Sequence, residues 1–357
     1  MKMEFVNLSR YIPVNRGRIW PFSNLRKVSP VYLTWDLQLD NKPENLAYAH
    51  KLAEEGYDVV PIRKLPPSEH YLNRESFPRR ILFEMTSRCN FNCRMCPQQN
   101  LKRPRMDMPG EDYRRVVDEI DKYGVEGLWL YHLGESLLHP EFEKNLIHIA
   151  GKKNLGVKWM STNGQYFDED KINCILKANI DYVNFSAHAV TEETYKTVAP
   201  GGDFYRVQAN LQKLYEKKGT NNLPSRPFIH CQMIEQETTR HEVDDFIKKH
   251  HQHADIVSIN MLEYVNLPNN SFGIDQRKRG ALKSCTRVSR NDCFIMSNGH
   301  VTLCDAAYNG EIDLGSIYEH SLYEIWNGEK RSEILELNRQ GRMNEIDFCC
   351  QCTDYDI

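Results

Sequence analysis

From residue 81 onward, short stretches rich in β-branched and aromatic residues alternate with stretches in which apolar residues recur at helical spacing. The first kind predicts strands and the second predicts amphipathic helices. Six strands are predicted, at 81–85, 127–131, 156–160, 182–186, 228–234 and 256–261, with helices at about 113–123, 141–151, 168–178, 203–217 and 241–252. Six βα units are too few for a closed eight-stranded barrel. The expected fold class is therefore α/β, with a partial (β/α)6 TIM-like barrel whose ligands bind where its strands end.

The composition indicates a folded protein with more than one domain. The chain has 357 residues, of which 40% are hydrophobic and 27% charged, and its formal net charge is -3. These values exclude disordered and fibrous classes and offer no overall attraction for nucleic acid. No apolar run approaches the roughly 18 residues of a membrane span. The first residues lack the apolar core of a signal peptide, so we expect a cytoplasmic protein without nucleic-acid or membrane partners.

Three segments are predicted along the chain. Residues 1–78 contain eight prolines and one modest βαβ-like stretch, which predicts an N-terminal extension packed on the barrel. Residues 79–263 form the barrel. The polar stretch that follows reads as a linker, so residues 264–357 are predicted to be this linker and a small α+β module.

The eleven cysteines form an early group, a C-terminal group and a few single residues. Disulfides are not expected in a reducing compartment, and a disulfide framework would spread its cysteines more evenly. Two separate soft-metal sites, of zinc or iron-sulfur type, are the simplest interpretation.

The early group, in TSRCNFNCRMCPQ, spaces Cys89, Cys93 and Cys96 as C-x3-C-x2-C directly after the first strand. Three thiolates hold three irons of a four-iron cluster and leave the fourth iron open to another ligand. With Met95 before the last cysteine, this segment resembles the radical S-adenosylmethionine (SAM) superfamily. The resemblance implies that SAM binds the open iron and is cleaved to a 5′-deoxyadenosyl radical that abstracts hydrogen from a substrate. The three cysteines are thus the expected catalytic and metal-binding residues; a zinc or structural thiol site is the alternative.

Other segments resemble the SAM contacts of this superfamily. The residues from His132 to Ser136 look like its Gly-Gly-Glu-Pro segment, but the first glycine and the proline are absent, which leaves more of the binding to Glu135. The segment from Ser161 to Gly164 resembles ribose and carboxylate contacts, although an ordinary Asn-Gly turn has the same pattern. Ser186 and His188 follow strand four at the matching end of the barrel, and the alternative interpretation of His188 is an ordinary surface histidine. The expected cofactor-binding residues are Met95, Gly134, Glu135, Ser136, Ser161, Asn163, Ser186 and His188.

The C-terminal group has its own signature. Thirteen residues separate Cys285 from Gly299, and four separate Gly299 from Cys304. This spacing resembles SPASM and twitch modules, and Asn298-Gly299 predicts a hairpin turn between the two cysteines. The resemblance implies one auxiliary 4Fe-4S cluster, bound by Cys285, Cys304, Cys349 and Cys352. Cys350 could replace Cys349, and zinc in the same four thiolates is the alternative.

The other cysteines are expected to be buried rather than ligands. Cys174 lies in a predicted helix, and Cys293 is too close to Gly299 for the signature. Strand five alternates polar and apolar residues, which places Cys231 on the face that packs against helices. The polar lumen candidates are Glu84, Asn184, Ser186, His230, Gln232, Ser258 and Asn260. Such a lining favours a polyhydroxylated or peptide-like substrate over a lipid.

The leading functional hypothesis is an oxidoreductase that converts a secondary alcohol of a carbohydrate or cyclitol to a ketone. It would use SAM and two 4Fe-4S clusters, with the auxiliary cluster accepting one electron and a flavodoxin- or ferredoxin-type protein as electron donor. The alternatives are peptide modification, by thioether formation or epimerisation, and sugar epimerisation. Epimerisation needs a thiol in the lumen. A non-enzymatic electron carrier or zinc scaffold would explain the thiols but not the open three-cysteine site.

The first prediction concerns the open site. Replacing one of its three ligands should prevent a four-iron cluster from assembling. We therefore expect Cys93→Ala to abolish formation of 5′-deoxyadenosine from SAM under reducing anaerobic conditions, measured by chromatography. Cleavage of SAM at the wild-type rate by this variant would contradict the radical SAM assignment.

Overall fold

The computed structural model describes residues 17–21, 76–218, 227–250, 253–254, 256–261 and 283–352. The predicted βαβ-like stretch of the N-terminal segment and the linker at 264–282 lie outside these residues. The described part divides into two compact units. The larger unit comprises 76–161 and 283–352, and the smaller unit comprises 17–21, 162–218 and the described residues of 227–261. The predicted segment boundaries at 78 and 263 stay predictions.

The larger unit contains a mixed sheet in which the first three barrel strands are parallel. Its strands are β2 (Arg80–Phe83), β3 (Gly127–Trp129), β4 (Val157–Thr162), β8 (Asp292–Ile295), β9 (His300–Thr302) and β10 (Gly315–Ser316). Strand β2 pairs in parallel with β3 on one side and with β8 on the other. Strand β3 pairs in parallel with β4, while β9 is antiparallel to both β8 and β10.

Helices cover this sheet because their apolar residues recur on one face. Helix α1 (Gly110–Tyr123) buries Tyr113, Val116, Val117 and Ile120, and the ring of Tyr113 stacks on that of Phe83 in β2 at 4.1 Å. Helix α2 (Phe142–Ala150) follows β3. The C-terminal part adds four short helices, α7 (Thr286–Ser289), α8 (Leu322–Trp326), α9 (Glu329–Arg339) and α10 (Asp347–Cys350).

The smaller unit continues the βα pattern. Its strands are β1 (Gly17–Pro21), β5 (Tyr182–Ser186), β6 (Phe228–Glu235) and β7 (Ile256–Met261), and its helices are α3 (Glu169–Lys177), α4 (Glu192–Val198), α5 (Phe204–Lys218) and α6 (Val243–His250). Strands β5, β6 and β7 are parallel, and β1 runs antiparallel to β7. None of the helices in the described ranges has both the length and the apolarity that crossing a membrane requires.

All six predicted barrel strands and all five predicted helices are present, with ends that shift by at most three residues. The predicted hairpin is also confirmed. Gly299 adopts a φ of +84° at the turn between β8 and β9, a conformation that glycine reaches without strain. The parallel pairing of β8 with β2 was not predicted, because the sequence separates them by two hundred residues and gives no sign of their register.

Buried charges reinforce this pairing. Arg80 in β2 makes two hydrogen bonds, of 2.7 and 2.8 Å, to the carboxylate of Asp292 in β8. At the end of β2, Arg103 donates to Glu84 at 2.8 Å, and both side chains are at most 3% exposed. Arg103 also donates to the carbonyl of Tyr308 at 2.7 Å, and the Ser297 amide donates to Glu84 at 2.8 Å. The strand that leads into the early cysteines is thereby fastened to the C-terminal module.

Glu84, one of the polar lumen candidates, has a buried carboxylate that already accepts hydrogen bonds from Arg103 and Ser297. Burial opposes its ionisation, yet the neighbouring His132 and the charge of Arg103 outweigh that effect and lower the pKa of Glu84 to about 2. The carboxylate is therefore ionised at neutral pH and serves the structure rather than a substrate.

The second prediction follows from this ion pair. Arg103→Met leaves the Glu84 carboxylate buried without its cation, which should lower the apparent free energy of unfolding by about 3–5 kcal/mol. Lys144→Met is a matched control, because Lys144 is 75% exposed and its ion pair with Glu141 should contribute less than about 1 kcal/mol. Anaerobic denaturant unfolding of both variants measures the difference. Equal midpoints would contradict a stabilising role for the buried pair.

Candidate active site and auxiliary thiol site

The three early cysteines lie together in the loop that follows β2. Each is partly exposed as a residue. Burial of its thiol and the nearby Cys96 and Cys89 raise the pKa of Cys93 well above its usual value. A group of thiols in such a setting is deprotonated when it binds metal, and sulfur ligands favour iron-sulfur clusters. The donor set therefore fits a four-iron cluster with one iron left open. Met95, between two of the ligands, is buried.

Backbone and side-chain hydrogen bonds hold this loop in shape. The Cys96 amide donates to the Cys93 carbonyl at 3.0 Å, and the Gln99 side chain donates to the same carbonyl at 2.8 Å. At the base of the loop, Ser87 and Met106 exchange hydrogen bonds through the Ser87 amide at 3.0 Å and the Met106 amide at 2.9 Å. The cysteines are thus presented by a fixed loop at the carboxyl end of a strand, where barrel enzymes bind their ligands.

The segment from His132 to Ser136, after β3, lies against the cysteine loop. A Cβ atom on Gly134 would come within 1.8 Å of the Thr86 carbonyl oxygen, so only glycine fits there. The Glu135 amide donates to the Arg88 carbonyl at 2.9 Å. The charge of Glu135 is among the causes that raise the pKa of Cys93, which places this carboxylate near the thiols. Gly134 and Glu135 therefore occupy the neighbourhood that the SAM prediction requires.

Two other residues of this segment make contacts that the sequence did not reveal. The Ser136 hydroxyl, a predicted SAM contact, donates to the Leu130 carbonyl at 2.7 Å and so stabilises the turn. His132, two residues before Gly134, donates through Nε2 to the Asp305 carbonyl at 3.1 Å. His132 therefore links the segment to the residue that follows Cys304.

The remaining predicted SAM contacts lie at strand ends. Ser161 is near the end of β4, and the Asn163 side chain accepts a hydrogen bond from the Gln165 amide at 3.1 Å, in the turn after that strand. Ser186 ends β5. His188 is buried with a φ of +55°, and burial lowers its pKa to about 4, so its ring is neutral at pH 7. The role of these residues in SAM binding stays a prediction.

Four C-terminal thiols line one cavity in the larger unit. Its lining residues are Cys285, Arg287, Val288, Cys304, Ala306, Ile312, Met343, Phe348, Cys349 and Cys352. Within the described ranges, no group of three or more Cys, His, Asp or Glu side chains is arranged to hold a single metal ion. Four thiols in the wall of one cavity suit a multi-iron cluster.

The structure distinguishes Cys349 from Cys350. Burial and the nearby Cys304, Cys285 and Cys352 raise the pKa of Cys349. Cys350 is partly exposed and is absent from the cavity wall. Both belong to helix α10, and the Cys352 amide donates to the Cys349 carbonyl at 3.0 Å, which turns the C-x2-C thiols toward one centre.

Polar contacts position the other two thiols. The Asn338 side chain accepts from the Cys285 amide at 2.6 Å and donates to its carbonyl at 3.2 Å. Burial raises the pKa of Cys304, while the charge of Arg287 opposes that rise. Arg287 also forms an ion pair with Asp305. Sequence analysis had not singled out Arg287, although its place two residues after Cys285 was a signal that could have found it.

The three other cysteines are buried, as predicted. Cys174, Cys231 and Cys293 are at most 6% exposed. Burial raises the pKa of Cys231, and the charge of Lys249 in α6 acts against that rise, which places Cys231 on the face that meets this helix.

Comparison with known proteins agrees with both sites. The family model described as Radical SAM superfamily matches residues 83–247, and the SPASM model, an iron-sulfur cluster-binding domain, matches residues 285–353. The chain thus contains a radical SAM domain followed by a SPASM domain. These two domains imply SAM and 4Fe-4S clusters as cofactors, as predicted.

Curated relatives match only part of the chain. A tungsten-containing aldehyde ferredoxin oxidoreductase cofactor-modifying protein of Pyrococcus furiosus is 26% identical over 107 residues, which cover 30% of this chain and 30% of the relative. A GTP 3′,8-cyclase of Clostridium botulinum is 26% identical over 166 residues, covering 46% of this chain and 50% of the relative. The matched segments thus span half or less of each relative's length.

Solved structures resemble this chain over most of its length. The structure of anSMEcpe with bound AdoMet has a TM-score of 0.56 and 15% identity, and covers 78% of this chain and 86% of that one. Streptococcus suis SuiB bound to S-adenosylmethionine has a TM-score of 0.53 and 13% identity, and the match covers 82% of this chain and 78% of SuiB. BtrN in complex with AdoMet and 2-DOIA has a TM-score of 0.49 and 16% identity, and the match covers 78% of this chain and 94% of BtrN. The likeness to the first two confirms the predicted fold class, a partial barrel with a small C-terminal module.

The third prediction separates the two adjacent cysteines. If Cys349 is the ligand, Cys349→Ser should reduce the iron of anaerobically reconstituted protein from about eight atoms per chain to about four, since one four-iron cluster is lost. Cys350→Ser, the matched control, should keep about eight. Iron and acid-labile sulfide are counted in both variants. Loss of iron in Cys350→Ser with full content in Cys349→Ser would reverse the assignment.

Proposed function

We propose that this radical SAM enzyme oxidises a secondary alcohol of a carbohydrate or cyclitol to a ketone, with the auxiliary cluster accepting one electron. In this proposal, Cys89, Cys93 and Cys96 hold the SAM-binding cluster. Cys285, Cys304, Cys349 and Cys352 hold the auxiliary cluster. The observation that carries the proposal is the cavity walled by four thiols.

Four thiol ligands give every iron of a four-iron cluster a protein ligand. Such a cluster has no open position for a substrate, in contrast to the three-cysteine site. The remaining role for it is electron transfer, and an oxidation that begins by hydrogen abstraction needs a one-electron acceptor.

The overall reaction balances with one acceptor of this kind. When bound, SAM and the reduced cluster supply an adenosyl radical that removes the hydrogen atom from the alcohol carbon. The substrate then loses the hydroxyl proton to a base and one electron to the auxiliary site, which leaves a ketone. The protein aligns one C–H bond with the radical and excludes water and oxygen.

The smaller unit offers polar side chains that suit a polyhydroxylated substrate. Asn184 in β5 and His230 in β6 are neighbours in the strand register, as are Ser186 and Gln232. The Asn184 side chain donates to the Gln232 side chain at 2.6 Å. Burial lowers the pKa of His230 to about 3, so its ring is neutral at pH 7. Hydroxyl groups satisfy such side chains better than apolar ones do.

The cysteines give no support to epimerisation, which needs a thiol that donates hydrogen to the substrate. Cys231 is the cysteine of strand β6, and it is buried toward α6 rather than on the polar face. Peptide modification is kept as an outcome of the test below. A flavodoxin- or ferredoxin-type electron donor, a cytoplasmic location and the absence of nucleic acid as a partner stay predictions.

The fourth prediction tests the reaction directly. Reconstituted enzyme is incubated anaerobically with SAM, a low-potential reductant and a panel of cyclitols, sugars and peptides. We expect one polyol, deuterated at its carbinol carbon, to give one ketone and one monodeuterated 5′-deoxyadenosine per SAM consumed, measured by mass spectrometry.

Two variants accompany this assay. Cys231→Ala should form ketone as the wild type does, while Cys304→Ser should cleave SAM but lose ketone formation. Deuterium transfer that yields an epimer instead of a ketone would refute the proposed oxidation, and so would turnover with peptides alone.

A further inference from the structure

Arg287 is the positively charged member of the auxiliary cavity wall. Apart from the four thiols and Arg287, the described residues that line the cavity are apolar. The Arg287 side chain is only 13% exposed. It lies in α7, two residues after Cys285, and its charge acts on the nearby thiol of Cys304.

The partner of Arg287 is Asp305, which follows Cys304 directly. The carboxylate of Asp305 lies 3.9 Å from the Cys304 sulfur, and its side chain is 40% exposed. Water therefore screens the negative charge of Asp305 more than it screens the buried positive charge of Arg287. The net electrostatic potential that the Arg287–Asp305 pair produces at the cavity is therefore positive.

Such a charge affects the two oxidation states of a cluster differently. Four thiolates around a four-iron core of charge +2 give a net charge of about −2, and reduction by one electron makes it about −3. A buried cation stabilises the more negative state in surroundings of low dielectric constant. Arginine keeps its charge across the whole working pH range, so the effect does not depend on protonation.

We propose that the guanidinium of Arg287 raises the reduction potential of the auxiliary cluster and thereby makes it a better one-electron acceptor. Arg287 is a positioning residue in this role, since it acts on the cluster rather than on the substrate. The benefit for alcohol oxidation rests on the proposed function, but the potential itself does not.

The fifth prediction measures this potential without turnover. Full-length protein that carries Cys89→Ala, Cys93→Ala and Cys96→Ala retains only the auxiliary cluster, whose reduced state is followed by EPR during a redox titration. Arg287→Met should lower the ratio of reduced to oxidised cluster at least tenfold at a given potential, which corresponds to about 59 mV for one electron. Arg287→Lys, the matched control, keeps the charge and should change the ratio less than threefold.

A second variant should move the potential in the opposite direction. Asp305→Asn removes the anion that offsets Arg287, so it should raise the potential. Iron and sulfide counts confirm that each variant holds its cluster. An intact Arg287→Met cluster with an unchanged or higher potential would overturn the proposal. If Arg287→Met holds no cluster, an unchanged or lowered potential in Asp305→Asn would overturn it instead, and a raised one would support it.

The proposed alcohol oxidation and the proposed role of Arg287 can be refuted independently of each other. A lowered potential in Arg287→Met together with no oxidation of any alcohol would overturn the proposed function and support this inference. Oxidation of an alcohol together with an unchanged potential would overturn only the inference.

Discussion

Strand β2 lies between two parallel neighbours, one from the barrel and one from the C-terminal module, and both thiol sites depend on that arrangement. Its pairing with β3 places the early cysteines at the strand's carboxyl end, and its pairing with β8 brings the auxiliary hairpin to the same sheet. Arg80 bound to Asp292 and Glu84 bound to Arg103 lock this pairing with buried charges. Because an unpaired buried charge is costly, these pairs disfavour any arrangement in which the module lies elsewhere.

One five-residue segment is fastened to both thiol sites. His132 donates to the carbonyl of Asp305, beside Cys304, and the Glu135 amide donates to the carbonyl of Arg88, beside Cys89. The segment that carries Gly134 and Glu135 therefore also links the barrel to the module.

The two thiol sites share a low-dielectric setting but differ in their surroundings. Burial raises the pKa of Cys93 in one site and of Cys349 in the other, so metal binding must overcome a preference for the protonated thiol. The early site has three thiols near Glu135, while the auxiliary site has four thiols near Arg287. A three-thiol site leaves one iron of a four-iron cluster without a protein ligand, whereas a four-thiol site leaves none.

The sequence by itself determined the strand and helix pattern, both cysteine groups, the hairpin at Gly299 and the burial of Cys231. These features follow from local periodicity, turn chemistry and spacing, which do not depend on distant residues. Only the tertiary structure placed Cys349 rather than Cys350 in the cavity, paired the Glu84 carboxylate with Arg103, and revealed the contacts of His132 and Arg287. Each of these depends on side chains from segments far apart in the chain, and neither spacing nor periodicity specifies which distant residues meet in a folded core.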